Sequence, residues 1–184
     1  LAAMAVLVFG TTSVVSAQPK KKDIERARKL AKAGDQLFNQ KNYRGAIDKY
    51  SEAIKIFPRF PDAFFWKGYS HYYLNDFDQA ITDLTEAENL RFGKPIEIYR
   101  LRWSLYFQKQ AYDEALSDVI AASKLAPNDT TFSIAAGEIY RLRNQCPDAV
   151  PYYTKALNQD KRNSDVPYFL ALCYATMGLT SDQL

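Results

Sequence analysis

GDQLFNQKNYRGAIDKYSEA, residues 34–53, lies over GYSHYYLNDFDQAITDLTEA, residues 68–87, without a gap. Small residues set the frame. Working outward, Ala46, Ala80, Ala115 and Ala149 are separated by 34, 35 and 34 residues. Seven residues after each stands another alanine, Ala53, Ala87, Ala122 or Ala156, and three before that lies Tyr50, Leu84, Val119 or Tyr153. Twelve residues before the first alanine comes Gly34, Gly68, Trp103 or Gly137, with Leu37, His71, Tyr106 or Tyr140 three further on. Spacings of three, four and seven keep each set on one stripe of an amphipathic helix, so every period holds two helices. Gly and Ala at the crossing let the two approach closely, which predicts a helical hairpin per period.

Turn chemistry agrees with this phase. Pro58 and Pro61 close the first unit and Pro127-Asn128-Asp129 the third, while Arg91-Phe92-Gly93-Lys94-Pro95 absorbs the one extra residue in the link Leu90 to Pro95. Asn42 and Asp76 are positioned to cap second helices, and Pro147 suits a first helical turn. On these residues the chain resembles the tetratricopeptide repeat family over about Ala27 to Leu184. The resemblance implies an all-α, right-handed superhelical solenoid of antiparallel helix pairs. The units fall at 27–60, 61–95, 96–129 and 130–163, with a partial fifth at 164–184 that contains Ala171, Tyr174 and Gly178 in phase. Two departures stand out: Trp103 fills a small-residue position, which should push its helices apart or tilt them, and Phe92 and Lys161 replace proline. Tyr168, Phe169, Leu172 and Tyr174 would leave an apolar last face, so the expectation is that the native chain continues.

Ahead of the array, LAAMAVLVF (1–9) is uncharged and apolar, too short for the roughly 20 residues of a membrane span, and Val15 and Ala17 suit signal-peptide cleavage after Ala17. The expected layout is a signal peptide at 1–17, incomplete at its start, and a leader at 18–26. Export follows, to a bacterial periplasm or the exterior, with membrane contact only through an uncleaved anchor.

Composition excludes several functions. Lys plus Arg number 24 against 21 Asp plus Glu, and a net charge of +3 is too small for a dedicated nucleic-acid surface. Seven Gly and one His argue against a phosphate loop, a metal centre or a histidine-based active site. His71 falls in the core-facing slot of Tyr106 and Tyr140, which reads as packing. No catalytic residue, cofactor, metal or small-molecule substrate is expected, so the chain reads as a non-enzyme. Cys146 and Cys173 are too far apart in sequence for a CxxC motif, but stacking of successive units permits a disulfide between them; two buried free thiols are the alternative. Asn128-Asp129-Thr130 matches a glycosylation acceptor in an exposed turn.

What the resemblance implies about function is a concave groove, lined by the first helix of each unit, that holds a peptide or partner helix. By register, Phe38, Phe65, Tyr69, Tyr72, Arg100, Phe107 and Arg141 would face it, with Tyr73 and Glu138. Trp66 and Tyr73 are the aromatics expected to pack between helices instead. The family's chaperone-tail clamp needs Lys, Asn and Arg where this chain has Ala31, Asp35, Trp66, Glu97 and Leu101, so that ligand is not expected. The expected role is a protein-interaction scaffold. Its rivals are a recognition module of a larger envelope enzyme or receptor, and an oligomer whose groove is closed by self-association.

Overall fold

The computed structural model describes residues 20–178. Residues 1–17, expected as a signal peptide, therefore lie outside the described residues, as do the last residues of the partial fifth unit. Nine helices and no strand occur among the described residues: α1 (Lys21–Asn39), α2 (Tyr43–Ile56), α3 (Pro61–Tyr73), α4 (Phe77–Asn89), α5 (Pro95–Gln108), α6 (Tyr112–Leu125), α7 (Thr130–Leu142), α8 (Cys146–Gln159) and α9 (Asp165–Thr176). They form a solenoid of antiparallel pairs, α1/α2, α3/α4, α5/α6 and α7/α8, with α9 stacked on the last pair.

The first helix begins at Lys21, so residues 21–26, expected as leader, supply extra turns of α1. The physical reason is composition: Lys, Glu, Arg and Ala are strong helix formers, and nothing between Lys20 and Asn39 breaks a helix. Pro95 opens α5 rather than closing the unit before it, at the first-turn position where a missing N–H costs nothing. Asn42 caps α2 by accepting from the Gly45 N–H at 3.1 Å. Asp76 makes no such cap; its carboxylate is drawn to His71 Nδ1, 3.2 Å away. Inside each hairpin the chain reverses through one left-handed residue, Lys41, Asn75, Gln110 or Asn144, with φ of 61°, 59°, 59° and 58°. The next N–H reaches five residues back, as from Asn42 to Leu37 O at 2.9 Å and from Gln145 to Tyr140 O at 2.9 Å, a Schellman closure that satisfies the helix-end carbonyls.

Each apolar face is closed by the helix that follows the hairpin. Ala27, Ala46, Tyr50 and Ala53 meet Ala63 of α3; Ala80, Leu84 and Ala87 meet Ile98 and Leu105 of α5. Ala115, Val119 and Ala122 meet Phe132, Ala136 and Ile139 of α7, and Ala149, Tyr153 and Ala156 meet Val166 and Cys173 of α9. Within a pair the crossing is set by matched volumes. A Cβ on Gly34 would stand 2.6 Å from the Tyr50 ring, and one on Gly137 2.7 Å from the Tyr153 ring. At Gly68 the nearest atoms, including Leu84 Cγ, are at 3.1 Å. The third unit departs from this: the wide Trp103 stands at the glycine position and packs against the cluster that holds the fully buried Val119, which is smaller than Tyr50, Leu84 and Tyr153 at the equivalent positions.

Polar ties cross the same pairs. Arg102, 7% exposed, donates from Nε and Nη2 to Asp118 at 2.8 and 2.7 Å and from Nη1 to Thr85 at 3.0 Å, and it pairs with Glu88 at 2.8 Å. Burial alone would lower its pKa, but Asp118 and Glu88 outweigh that and raise it. Lys67 and the buried Asp83 make the equivalent pair in the second unit at 2.8 Å. His71 Nε2 lies 3.7 Å from Asp83, so the lone histidine is held between two carboxylates inside one hairpin.

Gly137→Val should destabilise the array by about 1–3 kcal/mol, because the Tyr153 ring it strikes is walled in and cannot swing away. Gly93→Val is the control, since a Cβ there meets nothing within 4 Å. Urea unfolding followed by circular dichroism measures both, and equal midpoints would refute the close-packed crossing.

Candidate partner-binding groove

Three hollows run along the side of the solenoid formed by the first helices of successive units. The lowest, about 380 Å³, lies between α3 and α5 and is walled by Asp62, Phe65, Trp66, Tyr69 and Glu97, with the link residues Phe92, Gly93 and Lys94. The next, about 230 Å³, reuses Phe65, Tyr69 and Glu97 and adds Tyr72, Arg100, Leu101 and Ser104. The uppermost and largest, about 580 Å³, reuses Ser104 and adds Trp103, Phe107, Gln108, Thr131, Ile134, Ala135, Glu138 and Phe169. Shared walls make these one trough. Apart from the α4–α5 link, every residue that lines it comes from α3, α5, α7 or α9, because the outward face of each first helix is the stripe left over when its Gly/Ala stripe packs on the second helix.

The sequence-expected residues divide on inspection. Tyr69, Tyr72, Arg100 and Phe107 line the trough, and Phe38 lines a neighbouring hollow with Asp35, Asn39, Tyr50 and Trp66. Phe65 reaches the trough only as a wall. It is 6% exposed and stacked on Phe92, ring centroids 4.3 Å apart, so it is a packing residue rather than a free contact. Repeat register gives the face on which a side chain starts; it carries no information about the link residue that covers it. Arg141 does not line the trough: its Nε donates to Glu138 at 3.0 Å and its guanidinium lies 5.8 Å from the Phe169 ring. Tyr73, expected between helices, is 45% exposed and lies flat on Tyr43 at 4.6 Å. The register missed Trp103, which heads the largest hollow edge-on to Phe107, and its indole Nε1 is buried with no hydrogen-bond partner. The signal for it was the same departure that suggested a wedge.

Electrostatics separate the charged groups of the trough into spent and unspent. Arg100 Nη2 donates to Asp129 at 2.9 Å and its guanidinium lies 5.0 Å from the Phe132 ring. Burial opposes the effect, but Arg100 and the Thr131 N–H hold the Asp129 carboxyl below its usual range. Glu138 is engaged by Arg141 and accepts from the Tyr153 hydroxyl at 3.0 Å. Asp62, Lys94 and Glu97 make no ion pair among the described residues. The Tyr69 hydroxyl is pushed up to about 12, first by its hydrogen bond with Tyr73, then by burial and the charges of Tyr73, Tyr72 and Glu97. It is therefore a neutral donor at any physiological pH.

Cys146, at the start of α8, and Cys173, in α9, are free and buried in one apolar cluster. Burial, followed by contact with the Cys146 thiol, pushes the Cys173 thiol up to about 12. No group of three or more His, Cys, Asp or Glu among the described residues is placed to hold a metal ion, and no described helix is long and apolar enough to cross a membrane.

Comparison with known proteins bears on this geometry. Residues 34–74 match the family model described as TPR repeat, and residues 62–89 match the one described as Tetratricopeptide repeat, so the stretch 34–89 is similar to tetratricopeptide repeats. It is 26% identical over 180 residues to Tetratricopeptide repeat protein 16 of Homo sapiens, a match covering 91% of this chain and 21% of that protein. Over 80 residues it is 32% identical to Mitochondrial import receptor subunit TOM34 of Rattus norvegicus, covering 44% of this chain and 26% of that one. The chain thus spans about a fifth to a quarter of the length of these curated relatives. Among solved structures, YrrB, described as a TPR protein with an unusual peptide-binding site, superposes with a TM-score of 0.77 at 17% identity, covering 89% of this chain and 86% of its own. MamA superposes at 0.77 and 19% identity, covering 86% of each chain. These likenesses establish the fold as a tetratricopeptide solenoid.

In the native protein neither thiol should react with iodoacetamide over a time in which urea-unfolded protein is labelled at both, because both are buried and the raised pKa of Cys173 leaves that thiol almost no thiolate. Rapid native labelling at Cys173 would contradict the packing described. Intact mass before and after reduction checks for a Cys146–Cys173 bridge.

Proposed function

We propose that this array is a non-catalytic scaffold that binds an extended or helical segment of a partner protein along the trough of α3, α5, α7 and α9. The observation that carries this reading is continuity: Glu97 and Tyr69 join the first two hollows, and Ser104 joins the second to the third. A run of connected hollows along successive units suits a chain-like ligand better than a compact small molecule. Solenoids present extended concave surfaces of this kind for binding. Tyr69, Tyr72, Trp103 and Phe107 would supply ring burial at low entropic cost, as rigid aromatics do at binding hot spots. The peptide-binding site named for YrrB and the import-receptor name of TOM34 support the same class of role.

The proposal includes export, resting on the apolar run and small residues of 1–17, to a periplasm or the exterior. Since the curated relatives are several times longer, a second reading is that the array serves as the recognition part of a larger protein. The trough would act in the same way in either.

The test is panning of a displayed peptide library on the protein. Selected peptides should bind a Tyr69→Ala, Tyr72→Ala variant at least about tenfold more weakly, as loss of two hot-spot rings implies. Ser104→Arg, which fills the junction between two hollows and leaves the rings in place, should weaken them as well. Peptides that bind both variants like the parent, with helicity unchanged, would place the interaction elsewhere and overturn the reading.

A further inference from the structure

The trough carries a chemical preference that its shape alone does not state. Its two arginine neighbours are occupied: Arg100 is paired with Asp129 and Arg141 with Glu138. Glu97, on the first turn of α5, is exposed, lines two of the three hollows and has no ion-pair partner among the described residues. Around it stand Trp66 and Tyr69, whose rings are stacked at 5.9 Å and 27°, and Tyr72, tilted against Tyr69 at 5.9 Å. Asp62 adds a second carboxylate to the lowest hollow, against the single cation Lys94. Asp62 also borders a hollow containing Arg28 and Lys32, so its charge is partly matched from that side. With Asp62 partly matched and Arg100 paired, Lys94 is the one unpaired cation among the described residues that shares a hollow with Glu97, and it makes no ion pair with it.

We propose that the lowest hollow, walled by Trp66, Tyr69 and Glu97, is a subsite for a cationic side chain, arginine above all, and that the segment bound in the trough is basic at this point. This rests on the groove reading and names its ligand class. A guanidinium fits on two counts: it stacks on aromatic faces, Trp best, and its planar donor fork matches a carboxylate while being less strongly hydrated than an ammonium. An acidic side chain or a C-terminal carboxylate would face the two carboxylates Glu97 and Asp62 with only Lys94 to receive it. An aliphatic side chain would leave Glu97 beside an apolar group with its solvation reduced, an uncompensated cost. The third hollow, where Glu138 is already neutralised, suits an apolar side chain, so the two ends of the trough read different chemistry.

The chain's two tryptophans, Trp66 and Trp103, stand one in each of the outer hollows, and their indole N–H resonances report on the two separately. The probes are the capped peptides Ac-Gly-Gly-Arg-Gly-Gly-amide and its norleucine and glutamate counterparts, titrated into nitrogen-15-labelled protein, with the indole signals assigned by Trp66→Phe and Trp103→Phe. The arginine peptide should shift the Trp66 indole with about tenfold higher affinity than the norleucine peptide, and the preference should fall as salt is raised. Glu97→Gln, at an exposed position, should remove that preference without changing the helical spectrum. The inference is overturned if the norleucine or glutamate peptide moves Trp66 as readily as arginine does, if Glu97→Gln leaves the preference intact, or if no peptide moves Trp66 at about 10 mM, where even very weak contacts register. Library peptides that depend on Tyr69 and Ser104 yet lack a basic residue would sustain the groove and remove only its basic subsite.

Discussion

Everything in this array depends on one crossing per hairpin, where two helices come close enough that the volume of a side chain on one must be matched by its absence on the other. Gly34 against Tyr50, Gly68 against Leu84 and Gly137 against Tyr153 share that space one way, and in the third unit, where Trp103 takes the glycine position, the buried residue of the second helix is the smaller Val119. Interiors pack near crystalline density, so a methylene too many or too few at such a point is felt. Tyr50 and Tyr153 are fully buried because glycine leaves room for the ring. Their burial fixes how each second helix lies on the first, and hence which stripe of the first helix remains to face a partner.

A second constraint is polar, and it takes two forms. In the outer hairpins the buried tyrosine reaches across to an acid beside the glycine: Tyr50 donates to Asp35 at 2.8 Å and Tyr153 to Glu138 at 3.0 Å. In the inner hairpins a cation on the first helix meets a buried aspartate on the second, Lys67 with Asp83 and Arg102 with Asp118. Burial raises both aspartate pKa values even against their partners, which is the mark of an incompletely repaid desolvation. Such a pair adds little net stability, while stranding one member costs about 3–5 kcal/mol. Its effect is therefore on register. Arg102 satisfies Thr85 and Glu88 of α4 together with Asp118 of α6, and a slip of α5 along either neighbour would break several of these contacts at once.

The repeat pattern made the helix pairs legible because the residues that carry it, Ala46, Ala53, Gly34 and their equivalents, lie at contacts where only size matters. The turns were less legible. Lys41 and Gln110 at the left-handed position carry no side-chain signal for a positive φ, whereas Asn75 and Asn144 are of a type that adopts it readily; at all four the constraint comes from helix-end carbonyls that need closing. Of the groove residues, Tyr69, Tyr72, Arg100 and Phe107 follow from helical phase. Phe65 does line the trough, but phase gave no sign that Phe92, from a link outside the repeat pattern, lies flat on it and buries it. Arg100 and Arg141 were expected to face the groove because phase predicts where a side chain begins, and phase says nothing of whether an acid elsewhere has already taken it. Asp129, which takes Arg100, belongs to the next unit's cap.

Those pairings decide what kind of recognition the surface can perform. A trough whose arginines were free would select for carboxylates at long range and lose that selectivity with salt. Here the guanidiniums are drawn into the scaffold, each beside an aromatic ring, Arg100 near Phe132 and Arg141 near Phe169, where they brace one unit against the next. What faces outward is mainly ring surface, and the rings hold one another: Phe38, Tyr43, Tyr69 and Tyr73 form a closed set of contacts with centroids 4.6–5.6 Å apart. Rings locked in this way have little rotamer freedom left to lose, so a ligand that covers them gains burial at a small ordering cost. In the proposed groove reading, affinity would follow contact area and shape, and charge would enter at the few places, Glu97 foremost, where the scaffold has left a group without an ion pair.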